Sequence, residues 1–370
     1  MKKYCVLFLI LMVSFLSGSN MKNLDKPSRG EWDFKLKKVW AVSDGKDNFL
    51  AKIRGIVVSK DEKIFVWDQK QLKVFVYDTN GHFLYDFAKK GEGPGEIMDY
   101  AYTRIFLSDK YIILHEVNIG KVNYFSHSGK YKMTRKVLKM KYGNYVNTYI
   151  NENEFLFFLP ENNKRKKSLL GIYNLVNNTY KVIAKMQQDK VFYIKEKHLT
   201  SPNRNILAST IFTYNNGKIL FGRNDKYLIN ILDLKTKNSF SFSVLGRKRN
   251  ELEKKYKEKT FEYLRPYLEK KHIKRLIKNC PDKLTYFNRI LIDNRGLIYV
   301  FIPHLNVRNF YELDIFSSQG KYLYHSIIKI PDKFYNVKDI SFGKNCIYFY
   351  AENKDGEIKL VKFSIIQPKG

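Results

Sequence analysis

The chain has 370 residues, of which 44% are hydrophobic, 15% aromatic and 28% charged, a balance that excludes disordered and collagen-like classes. Its 67 basic against 36 acidic side chains give a formal charge of +31, a field that favours anionic over cationic partners. Lysine supplies 53 of the basic residues and arginine 14, with no arginine-rich block among aromatics. Specific nucleic-acid recognition, which uses the planar guanidinium fork, is therefore not expected.

At the amino terminus Lys2 and Lys3 precede an apolar run over residues 4–16, followed by Ser17, Gly18 and Ser19. This three-part layout predicts a secretory signal peptide over residues 1–19, because the run is short of the ~20 residues a membrane span needs. Cys5 lies at the start of the run and not at its end, so no lipid attachment is expected. The expected location is the periplasm or the cell exterior, with no integral membrane span after cleavage. Two cysteines then remain, Cys280 and Cys346, either bridged or as two buried thiols.

Past residue 30 the chain repeats. Residues 53–84 hold four short β-forming runs divided by Lys60-Asp61-Glu62, Gln69-Lys70-Gln71 and Thr79-Asn80-Gly81, which are hairpin signals. The pattern returns over 104–131 with the turn Ser128-Gly129, and less cleanly over 149–183 and 211–244. It is plain again from Arg289, closing on Gln319-Gly320, and a sixth copy from Asp339 supplies three runs only. A β-like segment over 32–42 belongs to no copy, and pairing it as the outer strand of the sixth sheet closes a ring. The expectation is an all-β fold: a six-bladed β-propeller closed by an N-terminal strand, forming one domain over residues 20–370 and expected to be monomeric. Five or seven blades stay open as alternatives because the third and fourth copies are weakly patterned.

Residues 247–279 break the period. Thirteen Lys or Arg stand against 5 Glu over 247–278, and Leu252, Tyr256, Leu264, Leu268, Ile273, Leu276 and Ile277 follow helical spacing. Two amphipathic helices inserted between blades 4 and 5 are expected, with Pro266 in the first turn of the second.

With the first copy, the linker Gly91-Glu92-Gly93-Pro94-Gly95-Glu96 and the turn and strand Asp293-Asn294-Arg295-Gly296-Leu297-Ile298-Tyr299-Val300 in view, the chain resembles the six-bladed β-propeller family of exported bacterial proteins, related to NHL-repeat propellers. The resemblance spans most of residues 30–366 and implies fold and export. It hands over no catalytic residues. Many members look like lipoproteins, and this chain departs from them in lacking the lipidation cysteine.

The chemical motifs are sparse. The glycine-rich linker is read as a turn, because Pro94 removes an amide donor and no Gly-Lys-Ser/Thr follows. The seven histidines form no close ligand pair and no Gly-x-Ser-x-Gly elbow occurs, so neither cofactor nor metal is indicated. In a propeller, the links between blades and the loops joining second to third strands gather at one end of the ring. That placement selects Arg54, Asp68, Arg104, Glu116, Arg223, Arg289, His304 and Asp339 as ligand-binding candidates at the channel mouth. Pairing of these Arg and Asp residues to lock adjacent blades is the structural alternative. Three functions compete: a noncatalytic propeller binding an anionic glycan, peptide or protein at that mouth; a lyase or hydrolase with its site there; and a scaffold docking to a membrane or partner through the basic helices.

Overall fold

A computed structural model describes residues 19–33, 35–42, 50–98, 102–137, 146–161, 167–187, 193–194, 197–198, 205–262, 265–266, 268–293, 295–304, 310–330, 336–352 and 357–366. Six four-stranded antiparallel sheets follow one another. Their innermost strands are Ile53–Val58, Thr103–Leu107, Val146–Tyr149, Thr210–Asn215, Arg289–Ile292 and Asn336–Gly343, for blades 1 to 6. The predicted closure is observed: Leu36–Val42 pairs antiparallel with Ile358–Ile365, so the start of the chain supplies the outer strand of the blade made by its end.

Adjacent sheets pack face to face through six apolar layers, one per blade interface. Because both faces of a blade are covered, the second strands read as continuous apolar runs without alternation: every residue of Ile64–Asp68 and of Ile298–Ile302 is buried. The layers are unequal. Among the described residues the layer between blades 5 and 6 buries fifteen hydrophobic side chains, and that between blades 3 and 4 only Leu156, Phe158, Leu170, Ala184, Ile219 and Phe221.

The turns between third and fourth strands contribute a second device. In blades 1, 2 and 5 each carries a positive-φ glycine, and a Cβ there would meet an aromatic of the preceding blade's outer strand: Trp40 for Gly81, Phe87 for Gly129 and Phe242 for Gly320. Polar contacts seal two of these seats. Trp40 Nε1 donates to Thr79 O at 2.9 Å and Tyr85 Oη donates to His127 O.

One part of the ring has no counterpart in the sequence reading. Asn20–Asn23 adds in parallel to the outer strand of blade 4, Ser239–Val244, as a fifth strand. The chain then crosses blade 5, where Ser28 N donates to Tyr322 O at 3.0 Å and Trp32 N to His325 O at 2.8 Å, before entering blade 6. Trp32 is buried, its Nε1 bonded to Ile366 O at 3.0 Å. The first residues of the described chain thus form a strap over the rims of three blades.

The insertion holds two helices, α1 (Lys254–Glu262) and α2 (Lys270–Lys278). Pro266 lies in a turn ahead of α2 and not in its first turn, a correction to the expected boundary. Leu252, Phe261, Ile273, Leu276 and Cys280 pack with Ile206 and Leu207 from the segment entering blade 4. Leu264 lies outside the described residues, as do residues 1–18 of the expected leader. Cys280 and Cys346 are separate buried thiols, one in the helical cluster and the other in the layer between blades 6 and 1.

The glycine seats can be tested against a glycine that only needs its dihedral. At Gly320 (φ 82°) a Cβ would come within 2.8 Å of Phe242, whereas at Gly246 (φ 77°) it would meet nothing within 4 Å. In urea unfolding, Gly246→Ala is expected to cost about 1–2 kcal/mol, the left-handed backbone penalty alone. Gly320→Ala is expected to cost roughly 1–3 kcal/mol more, from overpacking; equal costs would mean that the turn is not seated.

Candidate functional site

The links between blades and the loops joining second to third strands lie at one end of the ring, here the upper end. Backbone amides entering each blade must be satisfied there, because the links are partly buried. Two predicted site residues serve that need. Asp68 ends the second strand of blade 1, is fully buried, and accepts from Ala51 N at 2.6 Å, Lys52 N and Lys70 N at 2.9 Å and Gln71 N at 3.0 Å. Glu116 holds the same position in blade 2, also fully buried, accepting from Met98 N at 3.0 Å and Asn123 Nδ2 at 3.2 Å, with Lys121 Nζ at 3.7 Å. Burial raises the Glu116 carboxyl above its ordinary range, against the pull of those donors. Both acids lie at this end of the ring, Asp68 bonded to amides of the link and of its own loop and Glu116 to a link amide and to third-strand donors. Blade 4 repeats the device with a neutral residue: buried Asn224 accepts from Ser209 N at 2.7 Å.

The basic candidates divide. Arg54, Arg104 and Arg289 head the innermost strands of blades 1, 2 and 5 at the upper end. Arg54 is exposed, Arg104 lies over the Tyr102 ring at 5.3 Å, and Arg289 is half-buried beside Tyr311. Next to Arg104 in register is His115, whose burial, with the nearby guanidinium, lowers its pKa to about 3, so it stays neutral. Arg223 is engaged sideways, its Nε 3.1 Å from Asp225 Oδ2 and its Nη1 donating to Gln187 O at 2.8 Å. Asp339 sits on the innermost strand of blade 6, and its side chain is outside the described residues.

The linker over residues 91–96 closes on itself. Glu96 Oε2 accepts from Gly93 N at 3.0 Å, and Lys121 Nζ donates to the carbonyls of Glu92, Gly93 and Glu96. It is a turn, with its polar atoms turned inward.

His304 belongs to a different constellation, which the sequence reading missed. Its Nε2 is 3.0 Å from Glu312 Oε2. Glu312 and Asp314, two apart in the third strand of blade 5, share a sheet face and receive Arg247 Nη2 at 2.8 and 3.1 Å. Asp314 is fully buried and also accepts from Tyr227 Oη at 2.6 Å and Tyr322 Oη at 2.7 Å, with His325 Nδ1 at 3.1 Å. The Glu-x-Asp spacing in an apolar strand was the available signal. The cluster joins blade 4, blade 5, the start of the insertion and the strap, since the backbone of His325 pairs with Gly30 and Trp32.

The hydrogen bond that His325 donates to Asp314 raises the His325 pKa above its usual value, with the charges of Asp314 and Glu312 adding to it and burial and Arg247 opposing it. A raised folded-state pKa means stability that is fully present below the unfolded value of about 6.5 and lost as pH rises through the folded one. His325 is expected to contribute a loss of urea stability between pH 6 and pH 8.5, while buried neutral His115 acts in the opposite sense. Relative to the parent, His325→Gln should therefore lose less, or gain more, over that interval; an unchanged pH response would remove His325 as a contributor.

Comparison with known proteins accords with this architecture. The model of a family described as 6-bladed beta-propeller (DUF5128) matches residues 44–273. No curated protein matches the sequence. Among solved structures, a member of the DUF4221 family from Bacteroides vulgatus superposes with a TM-score of 0.55 at 12% identity, covering 91% of this chain and 99% of that one. A Bacteroides fragilis protein described as exported gives 0.54 at 12% identity, with 94% and 99% covered. A virginiamycin B lyase from Staphylococcus aureus reaches only 0.41 at 11% identity, with 90% and 100% covered, too distant to carry an argument. The first two likenesses speak for the fold alone. With six blades in a closed ring and a family match over more than half its length, the chain belongs to the DUF5128 family of six-bladed β-propellers.

Proposed function

We propose that the protein is an exported, noncatalytic binding propeller whose upper channel mouth engages an anionic glycan, peptide or protein, after removal of a leader over residues 1–19. The observation that carries this reading is the placement of three arginines at that end. Arg54, Arg104 and Arg289 head the innermost strands of blades 1, 2 and 5, the first exposed and the other two half-buried. An arginine fork suits carboxylate or sulfate oxygens in a bidentate pair. The insertion, with 13 basic residues against 5 Glu, enters and leaves through the same end and extends the positive field. No helix among the described residues is long and apolar enough to cross a membrane.

A panel of acidic oligosaccharides and acidic peptides, titrated by fluorescence anisotropy at two salt concentrations, tests the proposal, since binding that vanishes at the higher salt is only general charge attraction. Arg104→Glu combined with Arg289→Glu is expected to weaken the best binder about tenfold or more. The unfolding temperature should stay within about 2 °C of the parent. Retained affinity, or an equivalent fall in unfolding temperature, would assign these arginines to holding the blades together.

A further inference from the structure

At the opposite, lower end the ring is not sealed everywhere. Between blades 3 and 4 lies a cavity of about 940 Å3, lined by the ends of strands and by hairpin turns of both blades. The turn beside it differs from those of three other blades. Where blades 1, 2 and 5 seat a glycine turn on the preceding blade's aromatic, blade 4 presents Lys235-Thr236-Lys237, with the positive φ on Lys237 and no glycine. Among the described residues this is also the interface with the fewest fully buried hydrophobic side chains.

The cavity has two chemistries. Its inner wall is apolar, with Phe221 and Ile231 buried and Ile183 and Phe240 half-buried. Its rim is cationic, with Lys181, Lys235 and Lys237 exposed; the Lys237 ammonium already donates to Leu234 O at 2.5 Å. One acid, Glu154, lines the cavity, where its carboxylate accepts from Asn151 Nδ2 at 2.9 Å and Asn174 Nδ2 at 3.5 Å, two further lining residues that offset it. Asp233 accepts from the amides of Lys235 and Thr236 at 2.9 and 3.0 Å.

We infer that this wedge is a second binding site, separate from the upper mouth, for an amphipathic anion: an apolar chain or ring carrying one carboxylate, sulfate or phosphate. The volume lies in the range of small-molecule sites, roughly 300–1,000 Å3. The apolar wall supplies burial, and the lysine rim selects the sign of the head group.

Isothermal titration calorimetry of the full chain with decanoate, octanoate and decyltrimethylammonium tests the inference. Decanoate is expected to bind saturably at one site, roughly tenfold tighter than octanoate because two more methylenes are buried. The cation of the same chain length should not bind. Lys181→Glu with Lys235→Glu, both on exposed positions and checked by thermal melting, is expected to weaken decanoate about tenfold. Ile183→Trp, which fills the wedge from the outer strand of blade 3, should abolish binding. The Arg104→Glu, Arg289→Glu variant should leave it unchanged, so failure here and failure of the upper-mouth reading are told apart. Absence of saturable binding, equal affinity for the two acids, binding of the cation, or binding retained in Ile183→Trp overturns the inference.

Discussion

Each blade of this propeller is a sheet with two apolar faces, and neither face can be covered except by another blade. That requirement explains why the second strands of blades 1 and 5 are buried along their whole length, why the six layers recur around the ring and why the ring must close. Closure by Leu36–Val42 gives the sixth sheet its fourth strand and ties the two ends of the described chain together. The same demand governs the upper end. Links that dive between packed sheets carry buried amides, and a residue at or just past the end of the second strand answers them: Asp68, Glu116 and Asn224 in three different blades.

The fold was legible because its signals are local. The four-run repeat, the turns at Asn80-Gly81, Ser128-Gly129 and Gln319-Gly320 and the helical spacing after Arg247 are all written within a few residues of the element they specify. The strap was not legible, since Asn20-Met21-Lys22-Asn23 has no strand-like alternation and its partner lies more than 200 residues on. The helix boundary near Pro266 was misplaced because a proline fits the turn ahead of α2 as well as its first turn. At the site, position was readable and role was not. The topology places Asp68 and Glu116 at the channel mouth, but whether a carboxylate points at a ligand or at backbone amides depends on the path of the incoming link. His304 shows the same limit: its partners Glu312 and Arg247 come from other segments that converge only in the folded ring.

The two weakly patterned copies, the third and fourth, meet through the layer with the fewest fully buried side chains among the described residues. There the blade 4 turn Lys235-Thr236-Lys237 carries no glycine, and a recess lies beside it. Sequence irregularity in a repeat fold is thus informative in its own right, marking where the ring can afford open volume. The two ends also differ in kind: the upper one is built from links, the insertion and buried polar caps, the lower one from short hairpins.

The strap has a consequence for biogenesis. Residues 20–32 precede every blade, yet their hydrogen-bonding partners in Ser239–Val244, Tyr322–Lys329 and at Ile366 follow by more than 200 residues. Vectorial synthesis must leave this stretch unpaired until blades 4, 5 and 6 have in turn emerged. The contacts that close the ring therefore form late, and a nascent chain halted before its final blade presents an open edge strand of the kind chaperones bind.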